Sequence, residues 1–192
     1  MKPILTSMLA LSAMAFMAGT SLAEEAHVAP VTAYLQENVV PWLSDPAVIA
    51  AIKAQNEKTG ALGDADIDAL DKKWRAEVDA ADKPMISEVL GNDLSKFLQE
   101  KQAGSNGVIS EVFIMDAKGL NVGQSDATSD YWQGDEPKFQ KSFGAGKDAI
   151  FVDEVEKDES TQALQSQASV TISDESGAPI GAVTVGINMD AL

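Results

Sequence analysis

Two hydrophobic periods divide the chain. Between residues 28 and 104 the apolar positions recur at three- and four-residue steps, the spacing of one helix face. Val28, Val31, Leu35 and Val39 form the first stripe, which Pro41-Trp42 interrupts. Ser44-Asp45-Pro46 supplies a capping residue followed by proline in the first turn, and Val48, Ile49 and Ile52 carry the apolar face to Thr59-Gly60. Asp64 is expected to cap a third helix bearing Ile67, Leu70, Trp74 and Val78. A short helix follows from Pro84 through Leu90, and Asn92-Asp93 starts another with Leu94, Phe97 and Leu98, closed near Gly104.

From Val108 onward the pattern is that of strands. Residues 108–115 contain Val112-Phe113-Ile114-Met115, apolar on both faces, which predicts a central strand. Asp116-Ala117-Lys118-Gly119 is a turn with glycine available for positive φ, and residues 120–124 return. A polar connection, 125–146, holds a short helical stretch around 136–143. Strands are predicted at 149–155, 163–172 and 180–187. The last two are joined by Asp174-Glu175-Ser176-Gly177, a second D-x-x-G turn. Two such hairpins imply antiparallel pairing, and helices followed by a five-stranded antiparallel sheet make an α+β fold.

The extreme N-terminus belongs to neither half. Lys2 precedes an uncharged apolar run, 4–18, and Ser21-Leu22-Ala23 places small residues where a signal peptidase reads. The run is short of the roughly 20 residues that span a bilayer as a helix. Residues 1–23 are therefore read as a cleaved signal peptide, 24–104 as a helical region and 105–192 as the sheet domain, in a protein located in the periplasm. The formal net charge of −16 argues against nucleic-acid binding. With no cysteine there are no disulfides and no thiolate sites. His27, the only histidine, is expected to sit in a frayed terminus without a role, so triads and multi-histidine zinc sites fall away.

The order of elements and several runs together resemble the single-Cache family, the extracytoplasmic PAS-like sensor domains also called PDC. The runs are Val112-Phe113-Ile114-Met115-Asp116 with Gly119, Asn121-Val122-Gly123-Gln124-Ser125, and Thr128-Ser129-Asp130-Tyr131-Trp132-Gln133-Gly134-Asp135-Glu136 with Phe143. Ala168-Ser169-Val170-Thr171-Ile172 and Gly181-Ala182-Val183-Thr184-Val185-Gly186-Ile187 complete them. The resemblance covers 108–192. It implies N-terminal helices packed beside a PAS-like sheet, and a small-molecule pocket between the sheet and the excursion after its second strand.

The candidate ligand contacts are Tyr131, Trp132, Asp130 and Asp135, with Ser125 and Asp153 completing the set. Flat aromatic faces beside carboxylates suit a cationic group. The same aromatics would equally serve to pin the connection onto the sheet, with the aspartates capping the helix near Glu136. Asp153, Glu154, Glu156, Asp158 and Glu159 match no EF-hand loop and read as a solvated strand end. On the fourth strand Leu164, Ser166, Ala168, Val170 and Ile172 share one face. Gln165, Gln167, Ser169 and Thr171 share the other, either facing solvent or flooring a pocket.

No G-x-S-x-G, Ser-x-x-Lys or phosphate-cradling glycine loop is present, so no enzyme and no cofactor are expected. The expected function is a periplasmic module that senses a small polar or cationic metabolite. Because the chain stops at Leu192, just after the last strand, it is expected to act through a separate membrane-bound sensor kinase or chemoreceptor. The alternative is a protein-interaction module with a degenerate pocket, recruited through the helical half, where Trp42 and Trp74 would be contacts or core. A homodimer through the N-terminal helices fits the same pattern.

Overall fold

The structure is a computed structural model that describes residues 26–157 and 163–192; the segment 1–23 read as a signal peptide, Asp158 and Glu159 lie outside the described residues. The helical half begins with α1 (Val28–Tyr34), a π-helical turn (Leu35–Val39) and α2 (Val40–Leu43). The interruption predicted at Pro41 takes the form of that wide turn. Proline offers no N–H to a regular helical ladder, and the π turn absorbs the gap while keeping Leu35 and Val39 fully buried.

Helix α3 (Pro46–Thr59) starts where expected, with Asp45 accepting from the Ala47 N–H at 2.8 Å. Helix α4 (Asp64–Val78) starts one residue earlier than the sequence suggests. Gly63 is its N-cap, and the reach back comes from Asp66, whose carboxylate accepts from Gly63 N–H at 3.1 Å. Helix α5 (Pro84–Gly91) is anchored by Glu77, which accepts from the N–H groups of Met85 and Ile86. Helix α6 (Asp93–Ala103) is capped by Asn92, accepting from Ser95 N–H, a contact of about 1 kcal/mol in typical hosts.

The sheet holds β1 (Ile109–Asp116), β2 (Asn121–Gln124), β3 (Ile150–Lys157), β4 (Leu164–Ser173) and β5 (Pro179–Asn188). Their order is β2-β1-β5-β4-β3, and every neighbouring pair is antiparallel. Between β2 and β3 stand α7 (Pro137–Gln140) and a 3₁₀ turn (Phe143–Ala145).

Alternation along the strands sends the two faces of the sheet to different environments. Val112, Ile114, Ala168, Val170, Ile172, Val183, Val185 and Ile187 pack with Val31, Leu35, Val39, Ile49, Ile52, Leu94 and Leu98 in the main core, so that core is shared by both halves of the chain. Trp42 belongs to it, edge-on to Phe97. The opposite, outer face carries Phe113, Met115 and Ala182, which are covered by Phe139 and Phe143 from the excursion.

The two D-x-x-G turns have the same construction. In each, one carboxylate oxygen accepts from two backbone N–H groups, Lys118 and Leu120 for Asp116, Ser176 and Ala178 for Asp174. Gly119 and Gly177 have φ of 82° and 81°. Helix α3 lies across both turns. Asn56 accepts from Ala117 N–H and donates to Ile180 carbonyl, Thr59 donates to Asp116 at 2.7 Å, and Lys53 pairs with Glu175 and Asp174.

Candidate functional site

The connection that leaves β2 is fastened by one helix. Asp71, Trp74 and Arg75 lie at three- and four-residue spacing along α4 and so share a face. Asp71 accepts from the N–H groups of both Tyr131 and Trp132, at 2.9 and 3.0 Å, and takes Arg75 on its other oxygen. Arg75 also pairs with Asp130 at 2.6 Å. Trp74, fully buried, donates its indole N–H to the Thr128 carbonyl and stacks on Tyr131.

These contacts settle where the aromatic pair points. Tyr131 faces the helices and takes a hydrogen bond from Gln55, and burial pushes its phenol pKa up. Trp132 donates its indole N–H to the Lys118 carbonyl, and its backbone bridges to Leu120. Gly134 is needed for that arrangement, since a Cβ there would stand 2.4 Å from the Trp132 indole nitrogen and 2.8 Å from the Lys118 carbonyl oxygen. Ser125 is buried and extends the β1–β2 pairing, accepting from Val112 N–H. Asp135 is exposed.

An open polar cleft of about 680 Å³ occupies the part of the outer sheet face that Phe139 and Phe143 leave uncovered. Its lining runs from Glu111 across Gln165 and Gln167 to Asp153, Glu154, Glu156 and Lys157, with Ser129 and Glu136, Pro137 and Lys138 as the facing wall. Of the six residues singled out from sequence, Asp153 lines this cleft. Tyr131, Trp132 and Asp130 are instead bonded to α4 and the β1–β2 turn, and Ser125 to β1. The polar set of β4 supplies floor through Gln165 and Gln167, while Ser169 is buried against Thr184. Of the acidic run, expected to be a solvated strand end, Glu154 and Glu156 are exposed, and with Asp153 they also border the cleft.

The floor is organised around Glu111. Its Oε1 accepts from Gln167 at 2.8 Å and from Gln165 at 3.0 Å, and Ser110 donates to Gln165 at 2.6 Å. This network crosses over β5 at Gly186, where a Cβ would come within 3 Å of Ser110, Glu111 and Gln165 side-chain atoms. On the wall, Lys138 pairs with Glu136 at 3.0 Å and sits 5.5 Å from the centre of the Phe113 ring. Among the described residues, no group of three or more histidine, aspartate or glutamate side chains is placed to hold a metal ion.

His27 is not frayed. Its Nε2 lies 2.8 Å from the Asp153 carbonyl oxygen, which also accepts from Ser166. The start of α1 is thus attached to a strand that borders the cleft. Local sequence held no sign of this contact, which joins residues 126 apart.

Among the described residues, no helix is long and apolar enough to cross a membrane. No family model matches the sequence, and no curated protein does. In fold the chain is similar to solved sensor domains of the Cache (PDC) type. The Vibrio cholerae histidine kinase DctB sensor domain aligns over 86% of this chain at 14% identity and a TM-score of 0.44. The Escherichia coli DcuS sensor domain aligns over 64% at 17% identity and 0.38. The ligand-binding domain of the Campylobacter jejuni chemoreceptor Tlp3, in complex with 4-methylisoleucine, aligns over 78% at 19% identity and 0.39. The alignments take in 51%, 91% and 63% of those chains, so this chain spans about half of the DctB domain.

Proposed function

We propose that this chain is a non-catalytic module that binds a small polar or cationic metabolite in the outer-face cleft, works in the periplasm and reports through a separate membrane-bound kinase or chemoreceptor. The observation that carries the reading is the floor of the cleft. A carboxylate held by two glutamine amides, over a strand that carries glycine at position 186, is a pre-organised polar surface at the floor of an open cleft. The lining offers carboxylates, amides, a hydroxyl and lysines, but no nucleophile–base pair.

A thermal-shift screen of amines, amino acids and carboxylates on the chain from Glu24 tests this. A hit whose binding perturbs the Gln165 and Gln167 side-chain amide signals supports it. A hit that leaves those signals still, or a screen of several hundred metabolites without one, overturns it.

A second reading, a protein-interaction module with a degenerate pocket, draws on Phe139 and Phe143. Their rings stack at 5.0 Å and fill the apolar half of the outer face. A partner captured equally well by wild type and by Glu111→Gln, with no small-molecule hit, favours it.

A further inference from the structure

Carboxylates stand at both ends of one cross-strand row. On the outer face Glu111 of β1 is opposite Gly186 of β5, and Gly186 is opposite Gln167 of β4. Beyond Gln167 the register of β3 shifts between Val152 and Val155, which puts Asp153 and Glu154 at that place in the row. Glu156 is opposite Gln165 in the neighbouring row.

Three strand spacings, about 14 Å, separate the backbones of Glu111 and the β3 acids. Glu111 leans over Gly186 to reach the glutamines of β4, so the span left between the two acidic ends is roughly 5–10 Å. Both glutamine amides donate to the same oxygen of Glu111, Oε1, and neither engages Oε2.

The lining is equally informative about what it would reject. It contains no arginine; its basic residues are Lys138, already paired with Glu136, and Lys157, and Gln165 and Gln167 each give one amide hydrogen to Glu111. A ligand carboxylate would meet Glu111, Asp153, Glu154 and Glu156 with Lys157 and the second amide hydrogens of the glutamines to set against them, whereas an ammonium group finds carboxylate acceptors at either end of the trough.

We infer that the cleft takes a linear molecule with an ammonium group at each end, a diamine or short polyamine. This rests on the cleft being the binding site. One ammonium meets Glu111 and the other meets Asp153 and Glu154, with the hydrocarbon chain lying over Gly186 and Gln167.

Calorimetric titration of the chain from Glu24 with butane-, pentane- and hexane-diamine and with spermidine, against butylamine and valine at low ionic strength, tests the inference. The best diamine is expected to bind at least about tenfold more tightly than butylamine. Glu111→Gln, and separately Asp153→Asn with Glu154→Gln, should each bring it down to the monoamine level while melting cooperatively like the wild type. Valine, or a screening carboxylate, binding in the cleft as tightly as any diamine overturns the ligand class and leaves the cleft as the site. Diamine binding that survives both sets of substitutions overturns the cleft as well.

Discussion

The indole of Trp74 stacks on the phenol ring of Tyr131, with centroids 5.4 Å apart and planes inclined by 28°. Tyr131 therefore holds α4 and the connection together. Trp74 is fully buried and also donates to the Thr128 carbonyl. Trp74→Ala should destabilise the chain by about 3–5 kcal/mol in urea unfolding, the usual loss for a buried tryptophan. Tyr131→Phe keeps the stack and gives up only the Gln55 contact, so it should cost no more than about 1 kcal/mol.

The paired turns make opposite predictions for acid. Asp174 is half-buried, and the Ser176 hydroxyl, assisted by backbone N–H groups and Lys53, holds its carboxyl down at about 2. A lowered folded-state pKa gives stability that is present above the ordinary value of 3.8 and is lost as pH falls toward 2. Asp116 carries the same turn under α3, where burial outweighs the hydrogen bonds from Thr59, Leu120 and Lys118 and pushes its pKa up. Its sign is reversed: the folded state holds the proton more tightly, so stability declines as pH rises from the ordinary value through the raised one. Urea midpoints followed across pH should show Asp174→Asn losing less on acidification than the wild type. The difference between Asp116→Asn and wild type should move in the mutant's favour as pH rises.

Two glycines of β5 separate backbone clearance from side-chain clearance. A Cβ at Gly181 would stand 2.2 Å from the Met115 carbonyl oxygen, a backbone atom of the paired strand that has nowhere to go. Gly181→Ala should cost about 1–3 kcal/mol. At Gly186 the nearest atoms belong to side chains, Ser110 Oγ, Glu111 Cγ and Gln165 Nε2, which can swing aside. Gly186→Ala should fold with nearly wild-type stability but displace Glu111 from its glutamines, visible as shifted amide signals of Gln165 and Gln167.

The sheet domain should not fold by itself. A fragment of residues 105–192 keeps Val112, Ala168, Val170, Val183 and Val185 while losing Val31, Leu35, Ile52, Leu94 and Leu98 that cover them. Uncovering such a face removes the main driving force for folding. Circular dichroism is expected to show no cooperative melt for the fragment, in contrast to the chain from Glu24.

Element identities were legible because they depend on short-range period. The stripe through Val31, Leu35 and Val39, the alternation through Val183, Val185 and Ile187, and the two D-x-x-G turns each lie within one segment. Cap assignment failed by one residue at α4 because aspartates crowd that terminus and Asp66, rather than Asp64, reaches back. The site was less legible. Which way Tyr131 turns depends on Asp71 and Trp74, some sixty residues upstream in sequence. Alternation placed Gln165 and Gln167 on one face correctly, but their meeting with Glu111 depends on the register of three strands and on an empty position at Gly186. Asp153 follows the alternation of β3 to the cleft side, whereas Glu154 and Glu156 join it through the register shift between Val152 and Val155.

Helix α3 grips both hairpin turns through Lys53, Asn56 and Thr59, and the cleft row lies toward the other ends of the same strands. The sheet is thus clamped like a plank at one margin and loaded near the other. Spreading of its strands by a guest would bear on the margin away from the turns, where α6 passes into β1 and Asn188 ties the end of β5 to Val108 and Gly107. That margin is where a neighbouring molecule would feel occupancy first.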